Sequence, residues 1–302
     1  MTRKLAAVAV LLVLAVGLNA AEAAEGATAS PSVVPWTALR FQAEKLAGRI
    51  TADVRLELEP AAFLPAGRWP TVKGDPIRPE GSTVLKLSIR LTIEPPGMDP
   101  LRMENRLWFD PASLAPLRLI RTRAGYDDYL QWFVFGREHV FRRQHEPENL
   151  RQAKEPPENW TRVSEKGFGF RAEGCPAPAE TSMLVYLLSD AVARGVLDLA
   201  PRCVFHKRQL HRLSFRTERQ PGFPFDYLER SGGEPRRRAG AQDAVTIRIE
   251  STPVGIFDGS VEPWFKEGFL TFSADGRLPL VVSCDLPVVG QVELRLDEVR
   301  FD

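Results

Sequence analysis

Beyond residue 36 the chain alternates hydrophobic and polar residues over most of its length. Val54, Leu56 and Leu58 are separated by Arg55 and Glu57. Leu85, Leu87, Ile89, Leu91 and Ile93 are separated by Lys86, Ser88, Arg90 and Thr92, and the run stops at Pro95 and Pro96. Val245, Ile247 and Ile249 repeat the pattern, as do Val292, Leu294 and Leu296, while Leu278, Leu280, Val282, Cys284 and Leu286 share one face. A period of two is that of a strand, whose successive side chains point to opposite sides of the sheet. One wet face per strand identifies antiparallel pairing. Shorter stretches of the same kind lie at 39–45, 104–109, 117–123, 129–135, 138–143, 210–217 and 267–273, with turn residues at Gly48, His206–Gln209, Asp275–Gly276 and Gly290.

One segment has a different period. Between Glu180 and Arg194, residues Met183, Leu184, Leu187, Leu188 and Ala191 recur at helical spacing, after Pro178 and before Gly195. They predict an amphipathic helix of about four turns, ~22 Å long. The expected fold is therefore mainly β: a strongly bent antiparallel sheet, or half-barrel, of ten or more strands with this one helix packed on it.

Two stretches carry neither period. Residues 59–82 contain five prolines together with Phe63, Leu64 and Trp69, which predicts a loop packed down as a flap. Residues 220–242 contain Gly232, Gly233 and the run Arg236–Arg238, which predicts a mobile polar loop.

The N-terminus changes the picture of where the protein works. Arg3 and Lys4 precede a run from Leu5 to Leu18 made only of Leu, Ala, Val and Gly, followed by small residues near Ala23. That is the layout of a secretory signal peptide, and the run is too short for the ~20 apolar residues of a membrane span. The expected organisation is a signal peptide at 1–23, a flexible leader at 24–35 and a single β-rich domain at 36–302. Arg outnumbers Lys 32 to 8, a bias of GC-rich genomes, so a bacterial periplasm is the expected compartment. After cleavage each sign of charge is carried by 38 side chains. A neutral surface gives no field for nucleic acid, and nothing later in the chain is long and apolar enough for an integral membrane helix.

Candidate chemistry is sparse. His206 and His211 have an odd spacing that points them apart on one strand and brings them to neighbouring strands only if the chain turns between them. His139 and His145 could share a face but lie too far apart to chelate one ion. Asp127 and Asp128 read as a solvated turn, and Gly167-Phe168-Gly169 lacks the strand-to-helix setting of a phosphate loop. No nucleophile motif is present, so neither catalytic residues nor a metal or cofactor are expected. The six tryptophans, dispersed over many strands, read as core and rim. Of three cysteines, Cys284 falls on an apolar strand face and reads as a buried thiol. Cys175 and Cys203 flank the helix, and a bridge between them would stabilise by roughly 3.6 kcal/mol through loop closure.

Four stretches carry a family resemblance: Leu39–Leu58 with its turn at Gly48; Trp108–Pro111 with Leu114–Arg118; the Glu180–Arg194 helix; and Phe272–Leu280 followed by Gly290–Leu294. On these the chain resembles exported proteobacterial proteins carrying the uncharacterised domain DUF3108, over about 36–302. That family has no established activity, so no functional residues carry over. More distantly, a bent sheet holding a helix is similar to periplasmic lipoprotein carriers of the LolA type, which hold acyl chains between sheet and helix. The wrapped sheet, its one amphipathic helix and the aromatic-bearing flap at 59–82 point to a non-enzymatic periplasmic protein that binds an apolar, lipid-like ligand, with Leu184, Leu187, Leu188, Phe63 and Trp69 as candidate lining. The alternative is an envelope assembly factor working through contacts with another protein. An unfilled apolar space beside the helix favours the first, a filled core the second.

Overall fold

The computed structural model describes residues 34–45, 48–65, 67, 69–125, 127–169, 175, 178–206, 209–254, 267–286 and 290–301. The proposed signal peptide, all but the last two residues of the leader, Trp264 and the side chain of Cys284 lie outside the described residues. Eight strands follow one another as a meander: β1 (Trp36–Lys45), β2 (Gly48–Pro60), β3 (Thr83–Glu94), β4 (Leu101–Phe109), β5 (Pro116–Ala124), β6 (Tyr129–Phe135), β7 (His139–Glu146) and β8 (Arg162–Gly169). After the two-residue β9 (Ala179–Glu180) and helix α1 (Leu184–Ala193) comes a second meander. It consists of β10 (Arg202–His206), β11 (Gln209–Arg230), β12 (Arg236–Val254), β13 (Glu267–Ser273), β14 (Pro279–Leu286) and β15 (Gly290–Phe301). The first and last strands join the two halves, β1 pairing with β15 from Trp36↔Phe301 to Gln42↔Arg295. The result is a single 15-stranded sheet, strongly curved and mainly antiparallel, with β8 and β9 at its ends.

The alternation in the sequence becomes rows across the sheet. Register places Leu56, Leu87, Leu107, Leu119 and Phe133 side by side on five consecutive strands, and all five belong to or pack against the main core. Burying a side chain of this size contributes about 1.5–3 kcal/mol. On the opposite, convex face of β3–β7 a second apolar cluster gathers Val84, Trp108, Leu117, Ile120, Leu130, Trp132 and Trp160. The proline-rich stretch after β2 covers it, through Ala61, Leu64, Trp69 and Ile77, as a packed flap.

Backbone bonds hold that flap down. Ile77 N–H donates to the Phe135 carbonyl at 2.9 Å and Ala61 N–H to Ser82 at 2.8 Å. The buried carboxylate of Asp110 accepts from the backbone of Glu80, Ala112 and Ser113 and from the Ser113 hydroxyl. Burial by itself would push this carboxyl up, but the four donors outweigh it and hold the group below the usual carboxylate range.

The sheet curls until its ends meet around the helix. Phe205 on β10 packs on Phe133 and Phe135, each at 6.5 Å between ring centroids, and on Phe168 of β8 at 5.7 Å. Helix α1, preceded by a 3-10 turn at Thr181–Met183, lies inside the curve. Its N-terminal end touches β4, where Asn105 donates to the Ser182 hydroxyl at 2.9 Å. Its C-terminal end meets the β13–β14 turn at Gly276.

Residues 220–242 depart from the expected mobile loop. They form the outer part of the β11–β12 hairpin, paired down to Glu229↔Arg236. A bulge between Gln220 and Phe223, with Gly222 at φ +65°, bends this arm back toward the sheet. There Leu228–Arg230 pair in parallel with Glu298–Arg300 of β15. Arginines that read as a solvated run are cross-strand partners, Arg237 to Asp226 and Arg238 to Glu229. Proline and glycine concealed the strand, although Phe223, Phe225 and Tyr227 already alternate. Strands β8 and β10 also escaped the pattern, because β8 is an exposed, charged edge and β10 is short.

Gly276 has φ +69°, and a methyl group on it would lie 2.5 Å from the Ala193 Cα and backbone N. Gly276→Ala should therefore destabilise the protein by about 2 kcal/mol or more, against about 1 kcal/mol for Gly232→Ala, which shares the positive φ but meets no atom. Urea unfolding of both variants measures the difference.

Candidate functional site

The helix begins on a buried carboxylate. Glu180, 1% exposed, accepts from Arg121 at 2.8 Å, from the Thr181 hydroxyl at 2.9 Å and from the Ser182 backbone N–H at 2.7 Å. Two of these donors satisfy the helix entry, and the third ties it to β5. So fixed, the helix directs Leu184, Leu187 and Leu188 into the main core with Met183 and Tyr186, the Tyr186 ring 5.1 Å from that of Phe109. The three leucines are core residues.

Phe63 and Trp69 are elsewhere. Phe63 is 70% exposed on the short 3-10 turn after β2. Trp69 packs on the convex cluster, its indole N–H donating to the Pro65 carbonyl at 2.7 Å and the Arg118 guanidinium 5.1 Å from its ring centroid. The sheet separates these two from the leucines, so the five candidate ligand residues do not form one site. Helical spacing shows which residues share a face, not what that face meets. An aromatic residue in a long loop can cover either side of a sheet.

The histidines do reach neighbouring strands. His206 and His211 sit on β10 and β11, ring centroids 6.3 Å apart. The Thr181 hydroxyl lies 3.5 Å from His206 Nδ1, and the Ser251 hydroxyl 3.1 Å from His211 Nδ1. Burial pushes the His211 pKa down. His145 is also buried, its Nδ1 3.0 Å from the Trp160 carbonyl, which anchors the 147–161 segment. Among the described residues no group of three or more His, Cys, Asp or Glu is placed to hold a metal ion. Asp127 and Asp128 stand in a tight turn, where Asp128 accepts from Gly125 N–H at 2.7 Å. Cys175 and Cys203 are joined by a disulfide, Cα atoms 5.5 Å apart, tying the segment ahead of the helix to β10.

Among the described residues, two clefts lie away from the five candidates. One, of about 160 Å³, lies between the hairpin arm and β14–β15, lined by Pro224–Tyr227 of the arm and by Leu280, Val281, Arg295 and Leu296. The other, of about 530 Å³, is the gap where β1 and β15 part beyond Gln42↔Arg295, with Ala43 and Val292 between Glu44 and Glu293. Arg295 borders both. The alternation of Phe223, Phe225 and Tyr227 was the available sign of the first cleft, but nothing in the sequence showed that the arm folds back.

No known family profile matches the sequence, and no curated protein matches it. Among solved structures it is similar to a β-barrel-like protein of a domain of unknown function, DUF1849, from Brucella abortus. The match covers 90% of this chain and 100% of that one, with a TM-score of 0.47 and 7% identity. Among the described residues no helix is long and apolar enough to cross a membrane.

Two outcomes follow from this placement. Leu187→Asp buries a carboxylate in the core and should abolish cooperative unfolding and the near-ultraviolet circular dichroism of the aromatic core. His211 has a folded-state pKa below its ordinary 6.5, so the unfolded chain binds the proton first. Its contribution to stability is complete above about pH 6.5 and is lost as the pH falls toward the folded-state value. Urea midpoints at about pH 7.5 and 5 should show a smaller acid loss in His211→Gln than in the parent; equal losses would remove His211 from the account.

Proposed function

We propose that this protein is an exported, non-enzymatic binding protein of the bacterial envelope, at work in the periplasm, whose ligand is a small apolar or lipid-like molecule. The observation that carries the reading is the cleft under the hairpin arm. Residues of the arm and of β14–β15 line there a space that no described residue fills. The helix leucines are committed to the core, so the space expected beside the helix is filled, which favours the alternative of an assembly factor, and the arm cleft alone supports the ligand reading. The N-terminal sequence and the disulfide between Cys175 and Cys203 support export to an oxidising compartment. A cleft of about 160 Å³ takes one ring or the end of one chain, so a larger lipid would lodge there by its tip.

A second reading, assembly through contacts with another envelope protein, has its own observation. Beyond Gln42↔Arg295 both β1 and β15 continue as strands, laddered to β2 and β14 on their other sides. Strand edges that face a gap can accept an added strand.

Protein purified from a periplasm without detergent should carry, or take up, an apolar molecule detectable by native mass spectrometry and extractable into organic solvent. Protein that arrives empty, and binds neither a fluorescent fatty acid nor a small apolar probe, would put the second reading first. Photo-crosslinkers at Glu44 and Glu293 would then be expected to capture the same partner protein.

A further inference from the structure

The arm cleft has a polar edge, and its chemistry narrows the ligand. Arg295 lies on the outer side of β15, cross-strand from Val281 and exposed. It lines the cleft on the same face as Val281, with Phe225 and Tyr227 of the arm on the other side. Among the described residues Arg295 makes no ion pair and no side-chain hydrogen bond, whereas its charged neighbours on the arm are engaged. Asp226 is held by Arg237, and Glu229 by Arg238. Arg230 pairs with Glu298 at 2.7 Å. The carboxylate of Asp226 at the rim is thus neutralised within the arm, and the Arg237 bond holds its pKa below the usual range. A guanidinium with five donors is left beside apolar walls. Tyr227 adds a hydroxyl without a hydrogen-bond partner among the described residues, and burial raises its pKa, so it stays a donor.

We propose that this cleft binds a small amphipathic anion, its single apolar group seated against Phe225, Tyr227 and Val281 and its carboxylate held by Arg295. The proposal rests on the binding-protein reading above and specifies its ligand. Size sets the apolar part. A dry cavity of about 150 Å³ accommodates benzene, and this cleft measures about 160 Å³, so one aromatic ring or a chain of about six carbons fits. Geometry sets the head. Guanidinium pairs with a carboxylate through two parallel N–H···O bonds, which a neutral alcohol of the same length cannot supply.

The test compares hexanoate with 1-hexanol on the full mature chain and on Arg295→Gln, whose exposed side chain leaves the fold undisturbed. Chemical shifts of the backbone amides at 225–227, 280–281 and 295–296 are followed by NMR. Hexanoate is expected to shift these amides and to lose about tenfold or more in affinity in Arg295→Gln, the cost of a charge-assisted hydrogen bond. Hexanol should bind both proteins alike and more weakly than hexanoate binds the parent. Equal binding of hexanoate to parent and variant, or shifts confined to other parts of the sheet, overturns the anion assignment while hexanol binding keeps the apolar-ligand reading. Failure of both probes to bind overturns both.

Discussion

The ladder between β1 and β15 is the constraint on which the rest of the sheet depends. It joins the two ends of the domain, to the point that the Thr37 hydroxyl lies 3.4 Å from the carbonyl of Arg300, 263 residues away. Each meander has its own local hairpins, but neither can bury the helix alone. Only when the last strand finds the first does a single concave surface exist. The last strand also has a third neighbour: β14 holds its first half, and the hairpin arm takes the edge that β14 leaves. Pairing of such sequence separation must overcome a large loop-closure entropy before its contacts form. The disulfide at the helix entry shortens the part of the search that brings β10 to the helix.

Once the sheet has closed, its interior is occupied. The helix supplies a filling of Leu, Met, Val and Tyr, and the rows of leucine and phenylalanine on the strands meet it. Its entry is also fixed by polar contacts. Arg121, Asn105, Glu180 and Ser182 form a connected set in which each hydrogen bond has one geometry, whereas leucines would tolerate several. The consequence for function is spatial. The open space under the arm is not beside the helix but in the angle between the folded-back hairpin and β14–β15. A site of that kind uses the bend of an arm rather than the depth of a barrel, and its polar component comes from a strand that ends one ladder there and continues another.

The middle of the first meander, β4–β6, is covered on both faces, and this explains a feature of its sequence that alternation alone does not. Strand β6 is apolar at nearly every position, with Leu130 and Trp132 on the convex side and Phe133 and Phe135 on the concave side. A strand buried on two sides has no wet face. The proline-rich flap supplies the second cover. Its anchors are mostly backbone groups, pinned by Asp110 and by the Phe135 carbonyl, so the flap can be irregular and still ordered.

Strand and helix periods by themselves determined the class of this protein. Alternation at 85–93 and 245–249, and the i, i+4 repeat of Leu184 and Leu188, report local geometry that any fold must respect, and they led directly to a curved sheet with one helix. The flanking positions of Cys175 and Cys203 around that helix were readable for the same reason. What the tertiary structure decided was which surfaces oppose one another. That Phe63 is exposed, that Trp69 lies across the sheet from Leu187, and that the arm carrying Phe225 returns to β14–β15 all follow from pairings between segments far apart in the chain. A bulge at Pro221–Gly222 turns the arm, but the backbone edge that receives it belongs to residues 298–300. Arg295 is the sharpest case: as a sequence position it is one more polar residue on an alternating strand. It becomes a binding candidate only because two ladders end beside it and the neighbouring charges are already paired. Periodicity is a property of adjacent residues, whereas a site is a coincidence of distant ones, and only closure of the sheet brings those together.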